Sequence, residues 1–327
     1  MKYYLIKIIK KSLPILDLIL IPFTFISSVW FLLIRKKLGI QRMRFSRVIF
    51  DKIGILPVHD HYYEPLVSPK KHIFKSLRDD RNLKGINLNI KSQLELLSSF
   101  KYNDELKSFP FEKNKLNEYY YNNDMFGSGD SEFLYNIIRF SKPKKIIEIG
   151  SGDSTKMMLN GIKKNFDEDK NNLCELTCIE PYRFDEIKDL NVNVIKKRVE
   201  FLDVNIFKQL NENDILFIDS SHIIRTQGDV LFEFNEILPI LNKGVLIHIH
   251  DIFTPKDYLD EFIFDKQHMW NEQYLLESFL SFNKNFEVIG SLNHLKHNYW
   301  NELTSKCPVL HNDSCREPGS FWIRRID

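Results

Sequence analysis

Alanine is absent from this 327-residue chain, and glycine and proline occur only 12 times each. Small residues are so scarce that clustered glycines stand out from background. Gly127, Gly129, Gly150 and Gly152 fall within 26 residues, and such a cluster marks a place where a ligand would meet backbone. Cysteine occurs four times, at 174, 178, 307 and 315, never as CxxC and with no histidine pair at zinc-finger distance. Reduced thiols in a reducing compartment are expected, with Cys307–Cys315 the one pair that would make a disulfide. No internal repeat is present. With 43% hydrophobic and 28% charged residues, collagen-like, mucin-like and wholly disordered chains are excluded.

Acidic residues are nearly missing from one end. Residues 1–50 hold ten Lys and Arg against a single acid, Asp17, while the remainder holds 36 Lys and Arg against 43 Asp and Glu. An acidic body with a basic arm argues against nucleic-acid binding and favours an anionic membrane surface. Within the arm, residues 13–34 read LPILDLILIPFTFISSVWFLLI, with 16 of 22 residues apolar. That is long enough to cross a bilayer. Lys10 and Lys11 precede it, and Arg35, Lys36 and Lys37 follow. Asp17, Pro14 and Pro22 weigh against a plain span, so three arrangements stay open: a span or re-entrant hairpin, an in-plane anchor, or a helix docked on the protein's own core. For a span, the basic residues after it place the body in the cytoplasm.

Three regions are expected: a basic, apolar membrane-associating segment at 1–40, an irregular cap at 41–125, and a larger domain at 126–327. In the last, short apolar runs alternate with amphipathic segments. KKIIEIG, LTCIE, NVNVIKKR, DILFID and GVLIHIHD read as strands. STKMMLNGIKK, GDVLFEFNEILPIL and NEQYLLESFLSF read as helices. FEVIGSL and SFWIRR close the pattern with no convincing helix between them, so an antiparallel last strand is expected. The fold class is α/β, a doubly wound, mainly parallel, seven-stranded sheet.

The first strand runs into Gly150-Ser151-Gly152-Asp153-Ser154-Thr155. Both glycines would let backbone approach a ligand, and Asp153 or Ser154 would cap the next helix. A dinucleotide fingerprint wants a third glycine where Thr155 stands. Glu148 would add negative charge beside a pyrophosphate but suits a cofactor with a cationic amino-acid end, such as S-adenosylmethionine. Glu180, at the tip of the second strand, would accept the ribose hydroxyls in either case. An NAD-dependent oxidoreductase therefore stays as a rival, as does a cofactor-binding membrane adaptor without turnover.

EIGSGDST followed by CIEP resembles the first two motifs of class I S-adenosylmethionine-dependent methyltransferases. NDILFIDSSHIIRTQGDVLFEFNEILPILNKGVLIHIHDIFTP is similar to a bacterial subgroup of them, the family 24-like methyltransferases with FIDSSH and HIHDIF motifs. FGSGDSEFLY, HDHYYEPL and SFWIRR share that likeness, which runs from about residue 40 to the end. The resemblance implies Glu148, Gly150, Gly152 and Ser154 around the methionine end of the cofactor, Glu180 on its ribose, Asp219 nearby, and Arg198–Glu200 toward adenine. Gly127 to Asp130 would form either a closing lid or a helix cap.

Asp219 and His222 follow the fourth strand, and His248, His250 and Asp251 end the fifth, at one edge of a parallel sheet. Three readings compete. His222 or His250 acts as general base toward an acceptor hydroxyl. Alternatively Asp219, His250 and Asp251 hold a divalent ion (Mn, Fe, Zn or Mg), at positions resembling the ligands of catechol-type and sugar O-methyltransferases. Or these are turn caps and a buried histidine, the better account of His248. Glu272 and Gln273 would reach the pocket or merely begin a helix. Tyr62, Tyr63 and Tyr119–Tyr121 would line an acceptor cleft or pack inside. The expected activity is O-methylation of a glycan, lipid-linked sugar or related hydroxyl.

Overall fold

The computed structural model describes residues 2–115 and 117–327, without the side chains of residues 2–11 and 186. Lys10 and Lys11 of the arm thus lie outside the described side chains. The chain forms two compact units, residues 1–75 and 76–327. The cap expected at 41–125 is divided between them.

In the first unit, α1 (Lys2–Leu33) is one unbroken helix containing Pro14 and Pro22, so the re-entrant hairpin is not what forms. Its described apolar side chains are nearly all exposed, Phe23 by 71% and Leu18 by 68%. A π turn at Ile34–Leu38 and a 3-10 turn at Ile40–Arg42 lead into α2 (Arg44–Ile53), which Gly54 ends in the left-handed conformation.

The second unit is a seven-stranded sheet in the order β3-β2-β1-β4-β5-β7-β6. The strands are β1 (Lys145–Ile149), β2 (Glu175–Ile179), β3 (Asn193–Ile195), β4 (Ile215–Ile218), β5 (Leu246–Ile249), β6 (Phe286–Ser291) and β7 (Phe321–Arg325). β1 to β5 pair in parallel, and β7 runs antiparallel to both β5 and β6, as the closing pattern led one to expect. The placement of β7 inside the sheet, between β5 and β6, has no counterpart in the sequence reading. Two helices also lie between β6 and β7, at Leu292–Asn298 and Trp300–Thr304. At seven and five residues they are too short to show a helical period.

Strand alternation splits the core. Ile146, Leu176, Ile215, Phe217 and Trp322 face one side, and Ile147, Ile149, Leu216, Ile247 and Ile323 the other. The first side is covered by the helices Asp130–Ser141 and Asp153–Glu168. Leu97, Phe100, Leu106, Tyr119 and Tyr121 add a further layer there, which explains why residues 76–125 belong to this unit. It also explains why every residue from Asp130 to Arg139 is buried. The Arg139 guanidinium stays tolerable inside because Glu105 and Glu168 pair with it at 2.9 and 2.5 Å.

Candidate active site

The parallel ladder continues one residue past four strands. Gly150 N–H donates to Ile179 O, Asp219 N–H to Ile149 O, His250 N–H to Ile218 O, and Glu180 N–H to Ile195 O, all at 2.9–3.1 Å. Gly150, Asp219, His250 and Glu180 are thereby set side by side at the carboxyl edge, where the chain order reverses between β1 and β4. A cleft of about 510 Å³ opens over them, lined also by Tyr182, Arg198–Glu200, His222, Asp251 and Trp270.

Gly150 is obligatory here. Its φ is +90°, and a Cβ would sit 2.3 Å from the carbonyl oxygen of Asp219. Gly152 differs from expectation: its φ of 168° is extended, and nothing lies within 4 Å of where its Cβ would be. Glu148 is also corrected. It is fully buried and absent from the cleft lining. Ser154 Oγ and Thr155 Oγ1 each donate to it at 2.6 Å, and Cys178 Sγ at 3.2 Å. Burial lifts its carboxyl to about 7, against the pull of those donors. Thr155 also accepts the Gly152 N–H at 3.0 Å. Thr155 thus replaces the missing third glycine with a hydrogen-bonded brace, in which Glu148 and Ser154 are buried away from the cleft. Glu180 keeps its expected place. One carboxylate oxygen accepts the N–H groups of Tyr182 and Arg183, at 2.7 and 2.8 Å, and the other lies 3.1 Å from Ser151 Oγ.

Asp219, His222, His250 and Asp251 converge. His222 Nε2 lies 3.3 Å from Asp219 and 3.8 Å from Asp251, and its Nδ1 lies 2.9 Å from Glu272. Burial would lower the His222 proton affinity, yet its bonds to Asp219 and Glu272 raise it well above the ordinary histidine value. Burial likewise opposes ionisation of Asp219, but His250 and His222 hold its carboxyl down at about 2. His222 and Asp251 are both left-handed, at φ +59° and +55°, a strain that surrounding structure must impose. Part of that imposition is visible: the N–H groups of Asn271 and Glu272 both donate to His222 O. The Trp270 ring packs 4.5 Å from the imidazole.

The expected metal set does not assemble. His222 stands between Asp219 and Asp251, where an ion would need to be, and His250 Nε2 is 3.9 Å from Asp251. Among the described residues no group of three or more His, Cys, Asp or Glu is arranged to hold a metal ion. His248 is fully buried, stacked 3.8 Å from Phe217, with Nε2 on Ser320. Burial and the neighbouring His250 push it well below the usual histidine range. Gly129 caps a helix with Glu132 instead of closing a lid. Tyr119 and Tyr121 are buried, donating to Phe126 O and Leu106 O, so Tyr182 and Trp270 supply the aromatic walls instead. Gln273 serves the β5 loop, accepting the Phe253 N–H. Glu272 begins a helix and touches His222 from behind, without itself lining the cleft. Trp270 was missed altogether, although it stands two residues before Glu272.

A family profile described as a methyltransferase domain matches residues 147–252. An uncharacterized protein of Archaeoglobus fulgidus is 32% identical over 192 residues, covering 54% of this chain and 85% of that protein. Among solved structures, the O-methyltransferase TomG of Streptomyces achromogenes, in complex with SAM, is 11% identical over 60% of this chain and 79% of its own, with a TM-score of 0.36. An O-methyltransferase of Bacillus cereus in complex with SAH is 12% identical over 79% of this chain and 94% of its own, with a TM-score of 0.35. Likeness that slight carries nothing to this chain; the profile and the sheet order do. The profile sets residues 147–252 of this chain in the methyltransferase-domain family, of the class I S-adenosylmethionine-dependent type.

Proposed function

We propose that the protein is a membrane-associated methyltransferase acting on a hydroxyl, with His222 as general base. The observation that carries this reading is the position of His222, between two cleft carboxylates and backed by the buried Glu272. A hydroxyl needs such a base more than an amine or thiol does. Bound S-adenosylmethionine supplies the methyl group on a positively charged sulfur that becomes neutral on transfer. The Gly150–Ser151 backbone, Glu180 and Asp219 would hold it, with Arg198–Glu200 on the adenine side. His222 carries a proton while the carboxylates face no other cation, and would release it to solvent when a cation enters the cleft. It then takes the acceptor's proton at Nε2 as the new O–C bond forms, while Glu272 fixes Nδ1. Asp219 and Asp251 thus face one positive charge before and after the step.

Within Ser12–Leu38 an 18-residue stretch reaches a mean hydropathy of 2.1, and the segment has enough length to cross a membrane. We take them as an anchor, with the basic residues after it in the cytoplasm together with the catalytic unit. A glycan or lipid-linked sugar is the proposed acceptor class, because Trp270 and Tyr182 offer stacking surfaces and an anchor would hold the enzyme near such compounds.

The deciding experiment measures thermal stabilisation of the full-length protein by S-adenosylhomocysteine, NAD and divalent ions, followed by methyl transfer to hydroxyl acceptors in membrane extracts. Stabilisation by S-adenosylhomocysteine and labelling that His222→Asn abolishes are expected. No stabilisation by S-adenosylhomocysteine would sink the cofactor assignment. Binding without labelling of any acceptor would leave a non-catalytic adaptor.

A further inference from the structure

We propose that residues 36–63 form a second membrane-binding element, a platform that lies on the surface of an anionic bilayer. The depth at which the platform lies rests on the reading of Ser12–Leu38 as the anchor. Helix α2 is amphipathic in an unusual sense. Phe45, Val48, Ile49 and Ile53, spaced i, i+3, i+4 and i+8, are 89%, 65%, 54% and 64% exposed, and Leu56 continues the stripe at 72%. The flank of that stripe docks through Phe50, which is buried and meets the Phe31 ring edge-on at 5.6 Å. The helix is therefore held in place by its minor apolar contact and turns its major apolar face outward. A contiguous exposed apolar face rimmed by polar residues signals a missing partner.

Two observations say what the partner is. Lys36, Lys37, Arg42, Arg44, Arg47 and Lys52 surround the stripe, and Asp51, the one acid on α2, is 3.8 Å from Arg47. An apolar face ringed by cations matches the acyl boundary and phosphates of an anionic leaflet. Pairing with a second copy would bring cations against cations. The second observation concerns depth. Arg35, the first cation after the apolar run, holds Glu64 through Nε and Nη2 at 2.7 and 2.5 Å. That clamp ties the exposed Tyr62 and Tyr63, whose rings lie 4.1 Å apart, to the end of the anchor. Tyrosines belong at that level of a membrane.

The test is hydrogen exchange of the full-length chain in nanodiscs of phosphatidylcholine alone or mixed with phosphatidylglycerol. Amides of residues 44–56 are expected to exchange about tenfold slower in the anionic discs. The double variant Phe45→Ser/Ile49→Ser should lose that difference while keeping its binding of S-adenosylhomocysteine. Equal exchange of 44–56 in both lipids would overturn the platform. So would protection that grows with protein concentration in detergent, which would identify a second copy as the partner. Slow exchange of residues 12–38 in both kinds of disc is the separate sign of the anchor. Its loss, with the lipid dependence of 44–56 intact, would overturn the anchor and leave the platform standing.

Discussion

At the scale of single residues, the site turns on how three carboxylates share one imidazole. His222→Asn keeps a hydrogen bond to Glu272 but cannot take a proton. It is expected to lower kcat by about 10²–10⁴ and to leave S-adenosylhomocysteine affinity nearly unchanged, as calorimetry would show. Gly150→Ala should cost on the order of 2–4 kcal/mol of stability, because the new Cβ meets backbone and the left-handed φ is strained; denaturant unfolding reads this. Glu148 predicts a pH dependence. Its carboxyl sits at 4.5 when free and about 7 in the folded chain, so the folded state holds the proton more tightly. Its stabilising contribution is complete below 4.5 and is lost as pH rises through 7. Glu148→Gln, with no proton to lose, should flatten the fall in melting temperature across that window. Gly150, Glu180 and the acid–histidine tips were legible because strand ends and loop glycines are local signals. The inward turn of Glu148 was not, since it depends on Thr155 and on Cys178 of the neighbouring strand.

At the scale of elements, the parallel half of the sheet was readable because buried strands are short apolar runs bounded by turns. The antiparallel half was less so. β7 is contiguous with nothing before it in sequence that reveals its neighbours, yet Trp322 and Ile323 are fully buried between β5 and β6. Removing residues 320–327 should therefore do more than trim an end. It would leave β6 without a ladder partner and β5 with an open edge. Expression of that truncation should yield protein that neither binds S-adenosylhomocysteine nor melts cooperatively. The long apolar helix was legible from composition, but its continuity through Pro14 and Pro22 was not, because an interior proline removes an amide donor and crowds the preceding turn, which ordinarily kinks or breaks a helix.

At the scale of the whole molecule, charge and architecture divide the chain at nearly the same place. The first unit, residues 1–75, holds the basic and apolar arm, and residues 76–327 hold every cleft residue named above. A fragment of residues 76–327 is expected to fold, to be stabilised by S-adenosylhomocysteine as the full chain is, and to remain in the supernatant of membrane fractions that retain the full-length protein. Failure of the fragment to bind would show that the first unit is part of the catalytic fold. The position of β7 also has a meaning in time. Phe321 lies 288 residues after Leu33, and at about 5–20 residues per second the ribosome needs roughly 15–60 s to pass from one to the other. The apolar helix thus emerges long before the sheet can close, so under the proposed anchor reading the methyltransferase domain would complete its folding on a chain already held at the membrane.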